Sequence, residues 1–445
     1  MKLSKITATL REIRVAPVKT LGQNFLHDQN LARWIVEQAE IAPNDYVIEI
    51  GPGLGALTEF TLAKGAHVLA IEKDKRLADY LRERFRNAEF EIIHDDALNF
   101  DTRILFTRSK VKLLGNLPYY VSSQLLIKFL EFPSPISLSL CMLQKELAKR
   151  IVATQGEEDY GALTLLLQFH NRIEYLRSVP ATVFVPRPEV DSALVRITPL
   201  NASELPHCNY EAFREWVRHG FSQRRKQLSR IFREKVPNWD EVATKLNFNT
   251  RARAEELSLE KWIALTNELT PIPPEHAGNT TEEQFAVVDN ADRVTGAAPR
   301  REVHANNLLH RAVHLLIFNP QGEVFLQLRS RSKDRHPLKW DSSAAGHVNS
   351  GEDYDQTAGR ELKEELGIET PLEKIAELPA SERTGFEFIW LYQGIYAGEF
   401  QMSRSEIEAG KFFPAGIVDR WIQARPDDFA PGFVECWKIW SERKA

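Results

Sequence analysis

Three glycines at alternate positions, Gly51, Gly53 and Gly55, follow the run Val47-Ile48-Glu49-Ile50, and they constrain this chain more than any other stretch. An apolar run, a glycine turn and a further apolar segment read as a buried strand, a tight turn and a helix start. Only glycine lets a ligand approach the backbone closely at such a turn. A dinucleotide fingerprint spaces its last two glycines one residue further apart, to seat a pyrophosphate at the helix end. The tighter spacing here, with an acid before the turn, favours a ligand with an amino-acid tail and a ribose. S-adenosylmethionine fits that description.

The segments that follow repeat the pattern. His67-Val68-Leu69-Ala70-Ile71 is expected as a second buried strand ending at Glu72, 21 residues past Gly51. A carboxylate at that place can accept ribose hydroxyls. Phe90-Glu91-Ile92-Ile93-His94 is expected as a third strand, followed by Asp95-Asp96-Ala97. An acid there either accepts the exocyclic amine of the cofactor's adenine or caps the next helix. Upstream, Asp28 can cap an amphipathic helix from about Leu31 to Ala39. Gln23-Asn24 before Phe25 is either a plain turn or a fold over the ligand's amino-acid tail.

A fourth strand, Val111-Lys112-Leu113-Leu114, ends in Gly115-Asn116-Leu117-Pro118-Tyr119-Tyr120. Adenine's exocyclic nitrogen is a poor nucleophile, because its lone pair is delocalised into the ring. A site that alkylates it should accept hydrogen bonds from its N–H groups as charge develops. Asn116 Oδ1 and the Leu117 carbonyl can be those acceptors. Pro118 stiffens the loop, and Tyr119 offers a face on which an extruded base stacks.

At this point the chain resembles the small-subunit ribosomal RNA adenine N6-dimethyltransferases, whose close relatives are the macrolide-resistance rRNA methylases. The resemblance runs from about Lys19 to Leu269. It includes Gly22-Gln23-Asn24-Phe25-Leu26, the glycine turn, Glu72, Asp96-Ala97 and Asn116-Leu117-Pro118-Tyr119. It continues through Gln144-Lys145-Glu146, Tyr160-Gly161 and Phe184-Val185-Pro186-Arg187, and on through Phe221-Ser222-Gln223-Arg224-Arg225-Lys226 to Arg253-Ala254-Glu255. It implies that Asn24, Leu26, Gly51, Gly53, Glu72, Asp96, Ala97 and Asn116 line the S-adenosylmethionine site. It implies a catalytic set of Asn116, Leu117, Tyr119 and Phe184, with Tyr119 and Phe184 clamping the target adenine. Without the resemblance Phe184 reads as core, in a strand Ala181–Val185. The implied substrate is a pair of adjacent adenosines in a hairpin loop near the 3′ end of small-subunit rRNA, each methylated twice. A large-subunit target is the alternative. A non-enzymatic assembly factor would not need the intact Asn-Leu-Pro-Tyr.

Between Phe221 and Lys235, Arg224, Arg225, Lys226 and Arg230 alternate with Leu228, Ile231 and Phe232 at helical spacing. An amphipathic helix is expected, its basic face either solvated or, in a small helical subdomain, contacting RNA phosphates. Charge agrees with such a division. Residues 1–270 carry 37 basic and 34 acidic side chains, whereas residues 271–445 carry 20 and 28. A polyanion should therefore meet the first part, and the acidic second part suits metal binding.

Thr270-Pro271-Ile272-Pro273-Pro274 opens an aperiodic stretch that reads as a linker. Beyond it, Phe285–Val288 is expected as a strand. Val313–Phe318 and Glu323–Leu328 should form a hairpin around Asn319-Pro320-Gln321-Gly322. Then come Gly346, Glu352 and Arg360-Glu361-Leu362-Lys363-Glu364-Glu365-Leu366-Gly367. On a helix Glu361, Glu364 and Glu365 share a face, and clustered carboxylates suit Mg²⁺ or Mn²⁺ on a diphosphate. This segment resembles the Nudix box. The family implied is metal-dependent hydrolases of nucleoside diphosphates linked to another moiety, with Arg360 in a structural role. The flanks, Leu309 to Arg329, also resemble the isopentenyl-diphosphate isomerase branch. That branch needs a cysteine just before the Gly346 position, where this chain has Ala344-Ala345, so hydrolysis is implied. Arg329, Arg331 and Lys333 either contact substrate phosphates or form a solvated basic loop.

The expected architecture is α/β. A Rossmann-like methyltransferase domain (1–200) and a helical RNA-binding subdomain (201–269) are followed by a linker (270–282) and an α+β Nudix domain (283–445). Cys141, Cys208 and Cys436 lie far apart and form no metal spacing or disulfide framework. With no leader-like or membrane-spanning run, a cytoplasmic location is expected.

Overall fold

The computed structural model describes residues 3–17, 23–109, 111–272 and 283–444. Lys19 to Gly22 and all but the first three residues of the expected linker lie outside the described residues. The chain divides into two compact units, 1–271 and 272–445.

Among its described residues the first unit contains nine strands: β1 (Phe25–Leu26), β2 (Tyr46–Ile50), β3 (His67–Glu72), β4 (Phe90–His94), β5 (Val111–Asn116), β6 (Ile136–Gln144), β7 (Asn171–Val179), β8 (Phe184–Val185) and β9 (Ser192–Pro199). Seven of them form one sheet in the order β4-β3-β2-β5-β6-β9-β7. The first five in that order run parallel, and β9 is antiparallel to both its neighbours. The four strands expected around Val47, His67, Phe90 and Val111 are present, the inner ones because strands covered on both faces write continuous apolar runs into the sequence. The chain order reverses between β2 and β5. In open parallel sheets such a reversal leaves a crevice at the strands' C-terminal ends, where ligands bind.

The helix expected from Leu31 spans Gln29–Gln38, and Asp28 caps it by accepting from Leu31 N at 3.0 Å. A helix that sequence reading missed, Leu3–Glu12, buries Ile6 and Leu10 against Phe25, Leu54 and Leu77. Two expectations are corrected. Ala181–Val183 is a 3₁₀ turn, with only Phe184–Val185 extended, because Val183 N bonds back to Pro180 O. Nor is Phe221–Lys235 one amphipathic helix. Gln227 is extended, with φ −66° and ψ 144°, and only Leu228–Ile231 is α-helical. Leu228 and Phe232 are nonetheless buried, in a core shared with Trp239, Trp262 and the segment Ala153–Phe169.

The second unit contains β10 (Gln284–Val288), β11 (Val294–Pro299), β12 (His310–Phe318), β13 (Glu323–Arg329), β14 (Trp340–Asp341), β15 (Ala344–His347), β16 (Leu372–Leu378), β17 (Glu387–Ile395) and β18 (Ile407–Pro414). The β12–β13 hairpin is present. The central pairing is parallel, β12 along all of β17, with β15 antiparallel to β12. A helix, Tyr354–Leu366, packs Ala358, Leu362 and Leu366 on Val313, Leu315 and Ile317. A capping box of Asp353 and Gln356 starts it, and Gly367 in the left-handed region ends it. No helix among the described residues is long and apolar enough to cross a membrane.

Candidate active sites

The C-terminal ends of β2, β3, β4 and β5 converge on one pocket in the first unit. Asn24, Gly51, Gly53, Glu72, Asp96, Ala97 and Asn116 all line it. Leu26 lines an adjoining pocket that shares Asn24, Gly51, Gly53 and Asn116. Gly53 has φ +60°, and a β-carbon there would sit 3.1 Å from the Phe25 ring. Its freed N–H donates to Glu72 Oε2 at 3.2 Å, while Asp74 N donates to Glu72 Oε1 at 2.9 Å. Burial pushes the Glu72 carboxyl up to about 7. Glu49, wholly buried, is pushed up to about 7 by the same cause, against a 2.7 Å bond from Thr58 Oγ1.

Asp96 caps a turn and not a helix, and a lysine takes its second oxygen. Oδ1 accepts Leu98 N at 3.0 Å as a local cap, and Oδ2 pairs with Lys73 Nζ at 2.7 Å. Asn116 donates from Nδ2 to the Asn24 carbonyl at 3.1 Å, leaving Oδ1 as the acceptor of the pair. Ser122 has one hydroxyl proton to share between Pro118 O at 2.9 Å and Leu117 O at 3.4 Å. The shorter contact wins, so the Leu117 carbonyl keeps accepting capacity. The Tyr119 ring is fixed by a 2.6 Å hydroxyl contact with Ser192. Phe184 is not presented to a ligand in this conformation. It is 2% exposed, among Leu26, Leu140 and Leu194. Sequence reasoning passed over Ile6, Lys73 and Tyr120, which also line these pockets. Tyr120 sat in the quoted hexapeptide, but nothing in sequence distinguished its role from Tyr119's.

Arg224, Arg225, Lys226 and Arg230, expected from the sequence to contact RNA, are all exposed. They lie on a turn and a single helical turn instead of one helix face. Arg224 also donates to the Glu158 carbonyl.

In the second unit Glu361 and Glu365 are buried against the sheet, whereas Glu364 is exposed. Arg360 holds the loop and helix together. It bonds Glu352 at 3.0 Å, Glu361 at 2.9 Å, Glu364 at 3.0 Å and the His347 carbonyl at 3.2 Å. A β-carbon on Gly346 would meet the Glu361 carboxylate at 2.0 Å, so the backbone there is a cradle for that side chain. Glu365 accepts from Gln327 Nε2 at 3.0 Å and Ala345 N at 3.3 Å. Burial raises both Glu361 and Glu365 above the usual carboxylate range; the neighbouring Glu364 raises Glu361 further, and Glu361 raises Glu365. Two buried acids that resist ionising together fit a divalent cation. The basic residues nearby do not form a solvated loop. Arg329 bonds Asp341 at 2.8 Å, Arg331 pairs with Glu408, and Lys333 pairs with Glu406.

Comparison with known proteins matches both units. The family described as ribosomal RNA adenine dimethylase matches residues 18–271, and the NUDIX domain matches residues 308–430. The ribosomal RNA small subunit methyltransferase A of Chlorobium phaeobacteroides is 38% identical over 263 residues, 59% of this chain and 97% of the relative. That of Francisella tularensis subsp. novicida is 40% identical over 255 residues, 57% and 97% of the two chains. A dimethyladenosine transferase structure from Plasmodium falciparum aligns over 55% of this chain and 96% of its own, at 24% identity and a TM-score of 0.47.

Proposed function

The chain belongs to the ribosomal RNA adenine dimethylase family, and from that premise we propose that its first unit dimethylates N6 of two adjacent adenosines in a hairpin loop near the 3′ end of small-subunit rRNA. S-adenosylmethionine, when bound, supplies a methyl group on a positively charged sulfur. The fit rests on the buried Glu72 carboxylate and the Gly51–Gly53 turn that lets a ligand reach the backbone. In this reading Glu72 accepts ribose hydroxyls, and Asp96 accepts the cofactor's adenine amine. Asn116 Oδ1 and the Leu117 carbonyl accept the two N–H bonds of the target amine. They would hold its lone pair toward the donated methyl group; the new N–C bond would replace the donor's bond to sulfur, the sulfur leaving as a neutral thioether, and the N–H proton would pass to water. Tyr119 provides the stacking face. Arg224, Arg225, Lys226 and Arg230 contact phosphates and carry no base selection.

The observation that carries this reading is the Asn116–Asn24 bond, which fixes the side-chain amide with its acceptor free beside the glycine turn. The test is methyl transfer to unmethylated small subunits, followed by mapping of dimethylated adenosines on both rRNAs. Marks on the large-subunit rRNA alone, or none at all, refute it.

The second unit is a NUDIX domain. For it the reading is hydrolysis of a nucleoside diphosphate linked to another group, with Glu361, Glu364 and Glu365 holding Mg²⁺ or Mn²⁺. Ala345 carries no thiol for isomerisation. A screen of nucleoside-diphosphate conjugates with and without Mg²⁺ tests this. Phosphate release that ignores the metal would exclude it.

A further inference from the structure

A buried histidine, His314, stands midway along β12. Side chains alternate along a strand. Val313, Leu315 and Ile317 pack on the helix Tyr354–Leu366, and His314 faces the other way. It is 6% exposed, yet it lines the cavity that also holds Glu361 and Glu365. Small residues leave its ring uncovered there. Ala345 stands opposite it in the β12–β15 ladder, and Ala312 precedes it by two. Gly432, in the helix Pro431–Lys444, completes the wall, where a β-carbon would sit 3.5 Å from His314 Nε2.

The other edge of the ring is held. Ser342 Oγ lies 2.7 Å from Nδ1, and the buried Asp341 carboxylate lies 3.7 Å from the same nitrogen. Arg329 and the Ser342 N–H each bond Asp341 at 2.8 Å, so its carboxylate is fixed in turn. Ser342 is wholly buried, and among the described residues its hydroxyl proton meets one acceptor, His314 Nδ1. A neutral ring that accepts at Nδ1 carries its own proton on Nε2, and a protonated ring carries one there as well. In both states the ring presents an Nε2–H donor on the cavity side. The carboxylates are close by. Glu365 Oε2 accepts from Ala345 N at 3.3 Å, and Ala345 is the residue opposite His314. Directly opposed residues of an antiparallel pair have β-carbons about 4.5–5.5 Å apart. Donor and carboxylates thus face one space. Arg329 and Lys333, on the same cavity, are already paired with Asp341 and Glu406.

We propose that His314 is a phosphate-binding residue of the second unit, its Nε2–H donating to a non-bridging oxygen of the diphosphate that the Glu361–Glu365 face engages. The proposal rests on the diphosphate reading of this cavity and adds a protein donor to a face made of carboxylates. An N–H donor to an anionic oxygen makes one of the stronger kinds of hydrogen bond. Asp341 and Ser342 serve it by fixing which nitrogen carries the proton and where that nitrogen points. No proton moves through the ring. The bond is made to the bound diphosphate before and during its cleavage, so losing it should raise KM more than it lowers kcat.

The test uses the full chain and methylenediphosphonate, a diphosphate that water does not cleave, with Mg²⁺ present. Calorimetry should show binding to the wild-type chain and a loss of about 10–100-fold in His314→Leu. The loss should be smaller in His314→Gln, whose amide still donates. Magnetic resonance of ring-labelled histidine gives a second readout, with the His314 signal assigned by its absence from His314→Gln. That signal should show Nε2 protonated, and it should move when methylenediphosphonate is added. Thermal unfolding checks that each variant is folded. A wild-type chain that does not bind methylenediphosphonate overturns the diphosphate reading and this proposal with it. Wild-type binding that His314→Leu keeps in full overturns the proposal alone. If His314→Leu does not fold, a His314 Nε2 signal that stays put on addition of methylenediphosphonate overturns it.

Discussion

The side-chain amide of Asn116 donates to the backbone carbonyl of Asn24 at 3.1 Å, joining the end of β5 to the segment just before β1. The bond orients the one side-chain acceptor available to the target amine. Asn116→Ala should therefore lower kcat for methyl transfer by about 10²–10³-fold and change S-adenosylmethionine affinity much less. Single-turnover transfer of labelled methyl groups, with calorimetry for the cofactor, separates the two effects. Activity near wild type would remove Asn116 from the mechanism.

The Glu72 carboxyl makes cofactor affinity depend on pH. In the free protein burial pushes this group up to about 7, so the fold keeps its proton where an exposed glutamate has lost it. Its contribution to folding stability therefore declines as pH rises toward 7. Cofactor binding has the opposite sign, because ribose hydroxyls need the ionised form as acceptor. Affinity should fall as pH drops below about 7, by up to about tenfold per unit. Glu49 titrates in the same range, so variants assign the effect. The dependence should vanish in Glu72→Gln and persist in Glu49→Gln, as read by calorimetry from about pH 5.5 to 8.5.

Arg225 and Lys226 are exposed on the turn before Leu228. Replacing both by alanine should weaken binding to rRNA and to unrelated RNA alike. The slope of log affinity against log salt should fall by about 1–2, since each phosphate contact contributes roughly 0.7–0.9. Filter binding at several salt concentrations checks this. A loss confined to the specific hairpin would contradict a phosphate-contact role.

Gly346→Ala places a methyl group 2.0 Å from the Glu361 carboxyl carbon. The glutamate must leave its cradle, so Mg²⁺-dependent phosphate release should be lost. The strain should lower stability by about 1–3 kcal/mol. Thermal unfolding and phosphate release are the readouts, and methyl transfer by the first unit should be unaffected.

Phe184 divides packing from catalysis. Phe184→Ala should cost about 3–5 kcal/mol, because the ring is core in this conformation. Phe184→Leu keeps most of that burial. If the ring also turns out to meet the target base, the leucine variant should unfold near wild type yet raise the KM for RNA.

Much of the first unit was legible because a parallel sheet repeats one statement, an apolar strand ending in a functional residue. Glu72 and Asn116 stand where such strands end. The basic segment misled because Leu228, Ile231 and Phe232 do have helical spacing. What the spacing cannot show is that Gln227 turns extended to pair with Arg253 while Leu228 N bonds Ala252 O. Those partners lie some twenty-five residues further on. The meeting of His304, His310 and His347 in the second unit was illegible for a related reason: His304 and His310 are six residues apart, but His347 lies 37 further on, and only the β12–β15 register brings it beside them. Phe184 was read two ways from the sequence, and the core reading describes the conformation seen.

Leu26 and Phe184 face each other in the two-stranded β1–β8 ladder, although most of the first unit's sequence separates them. A nascent chain cannot close that ladder until the later strand has left the ribosomal exit tunnel, so the wall beside the glycine turn is completed late in synthesis. Closing that wall thus requires the chain to be made through Val185, which includes β1 to β8 but neither β9 nor the helices after it.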